Sequence, residues 1–287
     1  MSSAQSSFLA RHEFLIRRLH SLTGLLPVGA YMCVHLFTNA TILDSVQLFQ
    51  NAIYGIHTLG DALILVEWGF IFLPLIFHAV LGMAYVSGGL PNPTAYSYGS
   101  NWRYTLQRAT GIIAFLFIFW HVFHMHGWFH AEWWLENVAR PLGGAMFSPY
   151  NAASTAGKAM QSTPIVPILY TIGVLACVFH FANGLWTMGI TWGLWTTPQA
   201  QKRANFLSIG VGTLLGIVSL SAIAAFTQVD TKKAGEIEEH LQEKRLESGF
   251  INEKQLHHKS VDDHSTDQEN STSKGDETPK PQNGSGT

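Results

Sequence analysis

Four histidines in this sequence are spaced to do metal chemistry. His35, His78, His121 and His180 fall one each in the first four of five long apolar runs. An imidazole offers a nitrogen lone pair to a metal and can hold a proton on its second nitrogen. At membrane depth such a ring is costly, so a functional role is the default reading. At about 1.5 Å per helical residue, His35 lies roughly 25 Å beyond Arg18 and His121 roughly 20 Å beyond Arg108, both toward the outer face of a membrane. The same rise puts His78 about 25 Å inward from Asp61 and His180 about 24 Å inward from Pro164, both toward the inner face. Two pairs at two depths result, the first run facing the third and the second the fourth, as opposite helices of a four-helix bundle supply. Facing imidazoles with no carboxylate or thiolate nearby suit the two axial positions of haem iron better than zinc, which takes four tetrahedral ligands. The expectation is two haem b groups, the inner iron held by His78 and His180 and the outer by His35 and His121. They are expected to be non-covalent, because no C-x-x-C-H attachment motif occurs. His124, one turn beyond His121, offers an alternative outer ligand.

The elements that must position these rings follow from composition. Charged residues make up only 13% of the 287 residues, against roughly 25% in a globular chain. Nine basic and six acidic side chains precede Asp230, while eight basic and thirteen acidic ones crowd into the last 58 residues. A first part so poor in charge cannot cover itself with a polar surface, and it lacks the basic face that nucleic acid would require. It belongs in a lipid bilayer. Apolar runs at 15–40, 62–86, 106–125, 164–194 and 206–227 each suffice to cross about 30 Å of hydrocarbon as a helix. The expected class is therefore an all-α integral membrane protein of five transmembrane helices, the first four forming a bundle around two stacked haems. Cys33 and Cys177 both fall inside these runs and read as small buried apolar residues.

Short loops rich in Lys and Arg stay on the cytoplasmic side. Arg11, Arg17 and Arg18 precede the first run, Arg103 and Arg108 lie between the second and third, and Lys202 and Arg203 between the fourth and fifth. The expected organisation is a cytoplasmic N-terminus at 1–14, a membrane domain at 15–229 and an acidic, largely disordered outer-side tail at 230–287. Within that tail 232–259 has some potential for a surface helix. Trp102, Trp192 and Trp195 on one side and Trp128, Trp133 and Trp134 on the other fit the aromatic belts of the two interfaces. No cleavable signal peptide is apparent, and the first run is expected to remain as a span.

An internal repeat accompanies the histidines. Thr23-Gly24 precedes His35 by eleven residues, Thr110-Gly111 precedes His121 by ten, and Phe-His-x-x-x-Gly recurs at Phe77 and at Phe179. Gly24 and Gly111 lie at the inner pair's depth, Gly69 and Gly173 at the outer pair's, where missing side chains would let a flat cofactor approach the helix. Glu67 is the carboxylate inside a span, well outside the inner pair's depth. An ionisable group there needs a reason, and proton transfer at a quinone site beside the outer haem is the one expected.

With these residues placed, the chain resembles the cytochrome b membrane-anchor subunit of succinate:quinone oxidoreductases, in its single-subunit, five-helix, two-haem form. The resemblance is carried by 17–24 (RRLHSLTG), 73–80 (LPLIFHAV), 106–111 (LQRATG), 120–122 (WHV) and 179–186 (FHFANGLW), and spans about 12–227. It leaves out the outer loop 131–163 and the tail. It implies the same ligand pairing as the depth count, and adds His20, Ser21 and the nearby arginines Arg17, Arg18 and Arg108 as holders of the inner haem's propionates. It further implies a flavoprotein subunit and an iron–sulfur subunit on the cytoplasmic face of a bacterial inner membrane, with membrane quinone as substrate. Succinate chemistry itself would then reside in the partners, since this chain has no dinucleotide-binding signature or cysteine cluster. The loops 96–104 and 196–204 are where the iron–sulfur partner would dock, with Arg103 and Lys202 expected in the contact. A bis-histidine cytochrome b of a hydrogenase or formate dehydrogenase is the competing expectation.

Overall fold

A computed structural model of the protein describes residues 11–60, 62–88 and 99–249. The expectations for residues 1–10, for the start of the 96–104 loop and for the tail from residue 250 lie outside the described residues. Among the described residues five helices are long and apolar enough to cross a membrane: α1 (Glu13–Leu43), α3 (Ala62–Ser87), α4 (Gly99–His126), α6 (Ile165–Thr191) and α7 (Pro198–Gln228). Shorter helices follow α1 (α2, Val46–His57), precede α6 (α5, Ala152–Gln161) and follow α7 (α8, Thr231–Glu247). The described residues contain no strand. This is an all-α integral membrane protein.

Two of the spans begin before their apolar runs. In α7 the Thr197 hydroxyl accepts the Ala200 N–H and Pro198 occupies the first turn, so the helix nucleates eight residues ahead of Phe206. The long α4 likewise starts at Gly99, carrying Arg103 as a helical residue rather than as loop. Span α3 widens into a π-helical turn at Glu67–Phe72 immediately before Pro74. Proline has no N–H to give and its ring crowds the carbonyl four residues back, and a widened turn relieves both. Helix α6 packs against α4 and α7, and α1 packs against α3, α6 and α7. In α3 no residue is fully buried within the chain, as expected of a helix facing lipid.

The best-packed region lies where α4 and α7 end. Phe49 of α2, Ala152, Ala153, Ala156, Ala159 and Met160 of α5, Phe226 of α7 and Ala234 of α8 form one apolar cluster with Met125 and Tyr170. Three of the orphan N–H groups at the start of α5 find acceptors from other elements. Gln50 Oε1 accepts from Ala152 N at 2.9 Å, and Glu238 Oε1 accepts from Ala153 N at 2.5 Å and from Ser154 N at 3.3 Å. Ser154 Oγ also donates to Glu238 Oε2 at 2.5 Å. The start of the tail is thus a docked helix with a buried carboxyl, and its first turns up to Glu239 belong to the same compact unit as the spans, a second unit beginning at His240.

Burial pushes the Glu238 carboxyl above the usual range, against the opposing pull of Ser154, Ala153 and Lys158. An acid titrating higher in the folded state contributes stability that is fully present below its unfolded pKa, and it is lost as pH rises through the raised value. Docking of α8 is therefore expected to loosen from acid toward neutral pH. Glu238→Gln keeps an acceptor and is expected to abolish that dependence, while Glu238→Ala costs about 1 kcal/mol through the lost cap. Proteolysis of α8 in detergent, followed against pH, reads both effects; protection independent of pH in the unsubstituted protein would contradict the first.

Candidate metal-ligand sites

The rings of His78 on α3 and His180 on α6 lie with centres 6.0 Å apart and planes at 85°. Each is held through Nδ1. His78 Nδ1 bonds the His20 carbonyl at 2.9 Å, and His180 Nδ1 bonds the Gln107 carbonyl at 3.0 Å. A carbonyl accepts only, so both Nδ1 atoms carry the proton and Nε2 keeps its lone pair. His20 and Gln107 occupy equivalent places in the repeat, each four residues before its glycine. The glycine explains why a helical carbonyl can take a second donor. A side chain at i+4 would stand beside the carbonyl of residue i, and a Cβ on Gly24 would come 2.5 Å from His78 Nδ1, one on Gly111 2.9 Å from His180 Cε1. The two glycines therefore make room for the imidazoles themselves, where the sequence suggested room for a flat group. Around His180 the hold continues: Gln107 Nε2 donates to the His180 carbonyl at 3.1 Å and Asn183 Nδ2 donates to Gln107 Oε1 at 2.6 Å.

The second pair, His35 on α1 and His121 on α4, has ring centres 5.9 Å apart and planes at 75°. His121 Nδ1 is 3.1 Å from the Tyr170 hydroxyl, and the ring of Phe117 stacks on it at 5.6 Å. A Cβ on Gly173 would collide with the Phe117 ring, whereas one on Gly69 would have open space around it. His124 is buried and stacks on Trp120 with centres 4.9 Å apart; it is His121 that faces His35. Tyr31 brings its ring within 5.7 Å of His35.

The expected propionate holders divide by their engagements. Arg17 pairs with Glu13 at 2.7 Å and lies over the Tyr85 ring, and Arg108 donates to the carbonyls of Tyr85 and Val86 at the end of α3. Ser21 accepts from Trp192 Nε1 at 3.0 Å. His20 stacks on His78 with centres 4.1 Å apart, and its Nδ1 and Arg18 Nε are buried without a hydrogen-bond partner. Arg103 is tied into the bundle, with Nε on Asn183 Oδ1 at 2.8 Å, Nη1 on Asn205 Oδ1 at 2.7 Å and its guanidinium 4.0 Å from the Trp186 ring centre. It is thus an inter-helix tie, while Lys202 and Arg203, close to Asn205 in the chain, are exposed.

The donor set fits a metal held axially by two imidazoles. A metal with a ring nitrogen at about 2 Å on either side sets the ring centres about 6 Å apart, as both pairs are. Fixing Nδ1–H to an acceptor is how ligating histidines are oriented. The unpartnered His20 Nδ1, on a ring stacked against His78, and the unpartnered Arg18 Nε two residues before it in the chain are donors of the kind that carboxylates on a porphyrin edge would meet.

Five apolar helices, four of which each bring one histidine into two facing pairs, define a membrane cytochrome-like class. No family model matches the chain. It is 36% identical over 214 residues to the succinate dehydrogenase cytochrome b558 subunit of Bacillus subtilis (strain 168), a match covering 75% of this chain and 97% of that protein. The chain belongs to the family of succinate dehydrogenase cytochrome b subunits.

Proposed function

We propose that this chain is the membrane anchor and di-haem electron-transfer subunit of a succinate dehydrogenase or fumarate reductase complex in a bacterial cytoplasmic membrane. The observation that carries the proposal is the hold on the histidines: His78, His180 and His121 each have Nδ1 engaged, leaving Nε2 as the ligating nitrogen, in pairs with centres 6.0 Å and 5.9 Å apart. His78 and His180 would hold the inner iron and His35 and His121 the outer. His20 and Arg18 would meet the inner propionates, with Ser21, Arg17 and Arg108 around them. Haem held by these histidines would supply one-electron transfer. The helices keep the two pairs at separate depths, so the chain joins its two faces.

The N-terminus lies in the cytoplasm on the positive-inside argument, the tail emerges outside, and the flavoprotein and iron–sulfur partners dock on the face carrying Lys202 and Arg203. The test is purification of the complex in detergent. Two haems per copy of this chain, travelling with a flavoprotein and an iron–sulfur protein, are expected; a haem-free chain, or one travelling with hydrogenase or formate dehydrogenase subunits, would refute the proposal.

Quinone reacts beside the outer pair in this reading, with Glu67 carrying protons to it. Glu67 opens a π-helical turn, a distortion frequent at functional sites, and that turn packs against α1, which carries His35. Glu67→Gln keeps the shape and removes the charge. It is expected to slow quinone-coupled turnover on the order of 10²-fold, the usual worth of a positioned acid–base group, with both haems retained and succinate oxidation by an artificial dye intact. Unchanged quinone turnover would remove Glu67 from the mechanism.

A further inference from the structure

The Tyr170 hydroxyl of α6 stands between two imidazoles of α4, 3.1 Å from Nδ1 of His121 and 2.9 Å from Nδ1 of His124. The tyrosine is 6% exposed, and the rings of Phe117 and Trp120 meet it edge-on at 5.4 Å and 5.3 Å. A phenol has one proton to give. Whichever imidazole receives it, the other must donate to the phenol oxygen, so the hydroxyl forces the two histidines into opposite tautomers.

We infer that Tyr170 is the positioning residue of the outer site: its oxygen accepts the Nδ1–H of His121, and its own proton goes to Nδ1 of His124. This rests on the bis-histidine reading proposed above. In that arrangement His121 presents the Nε2 lone pair toward His35, while His124 is left as an Nε2–H tautomer stacked on Trp120 and unable to ligate through that atom. One hydroxyl thus selects between two histidines a single helical turn apart.

The arrangement also sets the two sites apart chemically. The inner rings give their Nδ1 protons to backbone carbonyls, which are fixed acceptors. The outer ring gives its proton to a neutral hydroxyl that is itself a donor. An imidazole whose N–H meets an acceptor is a more basic ligand and favours ferric iron, so removing the acceptor destabilises the oxidised state of the outer site alone. Helix α6 acts on both sites, through His180 at one depth and Tyr170 ten residues earlier at the other.

The experiment is a redox titration of the intact complex carrying Tyr170→Phe, followed by haem absorbance and by low-temperature electron paramagnetic resonance. The phenyl ring keeps the packing on Phe117 and Trp120. Both haems are expected to remain, with the outer one reduced more easily by up to about tenfold at a fixed poise, about 59 mV for one electron, and the inner one unmoved. Loss of the outer haem alone would equally support the inference, since only the hydroxyl has gone. His124→Phe leaves the phenol oxygen in place and is expected to shift the outer site less. An unmoved outer potential in Tyr170→Phe, or an equal shift in His124→Phe, would overturn the assignment. Failure of the underlying reading would look different: the unsubstituted complex would hold fewer than two haems, or His121→Ala would keep the outer one.

Discussion

Alanine at Gly24 is expected to empty the inner site, and alanine at Gly111 to weaken it. In an ordinary helix interior the exchange of glycine for alanine is favourable by about 1 kcal/mol, because alanine loses less backbone entropy. Here the new methyl would stand 2.5 Å from Nδ1 of His78 and closer still to its Cε1, far inside any real contact, so the imidazole must leave or the helices must part. Neither is easy, because the ring is bonded to the His20 carbonyl four residues before Gly24 and stacked on the His20 ring. Overpacking of this kind costs about 1–3 kcal/mol, and a ligand displaced by an ångström no longer binds. At Gly111 the nearest approach is 2.9 Å, to His180 Cε1, and a small shift accommodates part of it. Gly210 on α7 has nothing within 4 Å of the place a methyl would take and serves as the control, where alanine is expected to be neutral or stabilising. Haem content and thermal stability of the three variants decide the matter. Full inner-haem occupancy in Gly24→Ala would show that the glycine is not what admits the ring.

The facing of His35 with His121 and of His78 with His180 is legible in the sequence because hydrocarbon makes a stray imidazole costly, so position along each span translates directly into depth. What held the rings was harder to read. The acceptors for His78 and His180 are backbone carbonyls, which have no letter in the sequence; their trace is the glycine four residues later, visible in the repeat and first given a different purpose. Tyr170, a single tyrosine in an apolar run, gives no sign that it meets two histidines 49 and 46 residues away. Arg103 counted as a loop cation because the apolar run begins at Leu106, whereas the helix starts at Gly99 and turns the guanidinium into the bundle. The capping of α5 by Gln50 and Glu238 depends on contacts across 102 and 85 residues, which no local pattern records.

Replacing any one of His35, His78, His121 or His180 by alanine is expected to lower the haem content from about two per chain to about one. Which one goes is the informative part. Substitution at His78 or His180 should spare the outer site, whose rings are held instead by Tyr170, Phe117 and Tyr31. Substitution at His35 or His121 should spare the inner site, whose carbonyl anchors belong to His20 and Gln107. The two losses are separable by spectroscopy as well as by stoichiometry. Iron held between rings whose planes cross at 85° and 75° would have the orbitals facing the two rings close to degeneracy, so two strongly anisotropic low-spin ferric signals are expected, and each variant should erase one of them. His124→Ala provides the internal check: a ring stacked on Trp120 and bonded to Tyr170 should be replaceable with both signals kept. Loss of the outer signal in His124→Ala together with its survival in His121→Ala would move the outer ligand one helical turn. Survival of both signals in all four single variants would remove the histidines from the iron altogether.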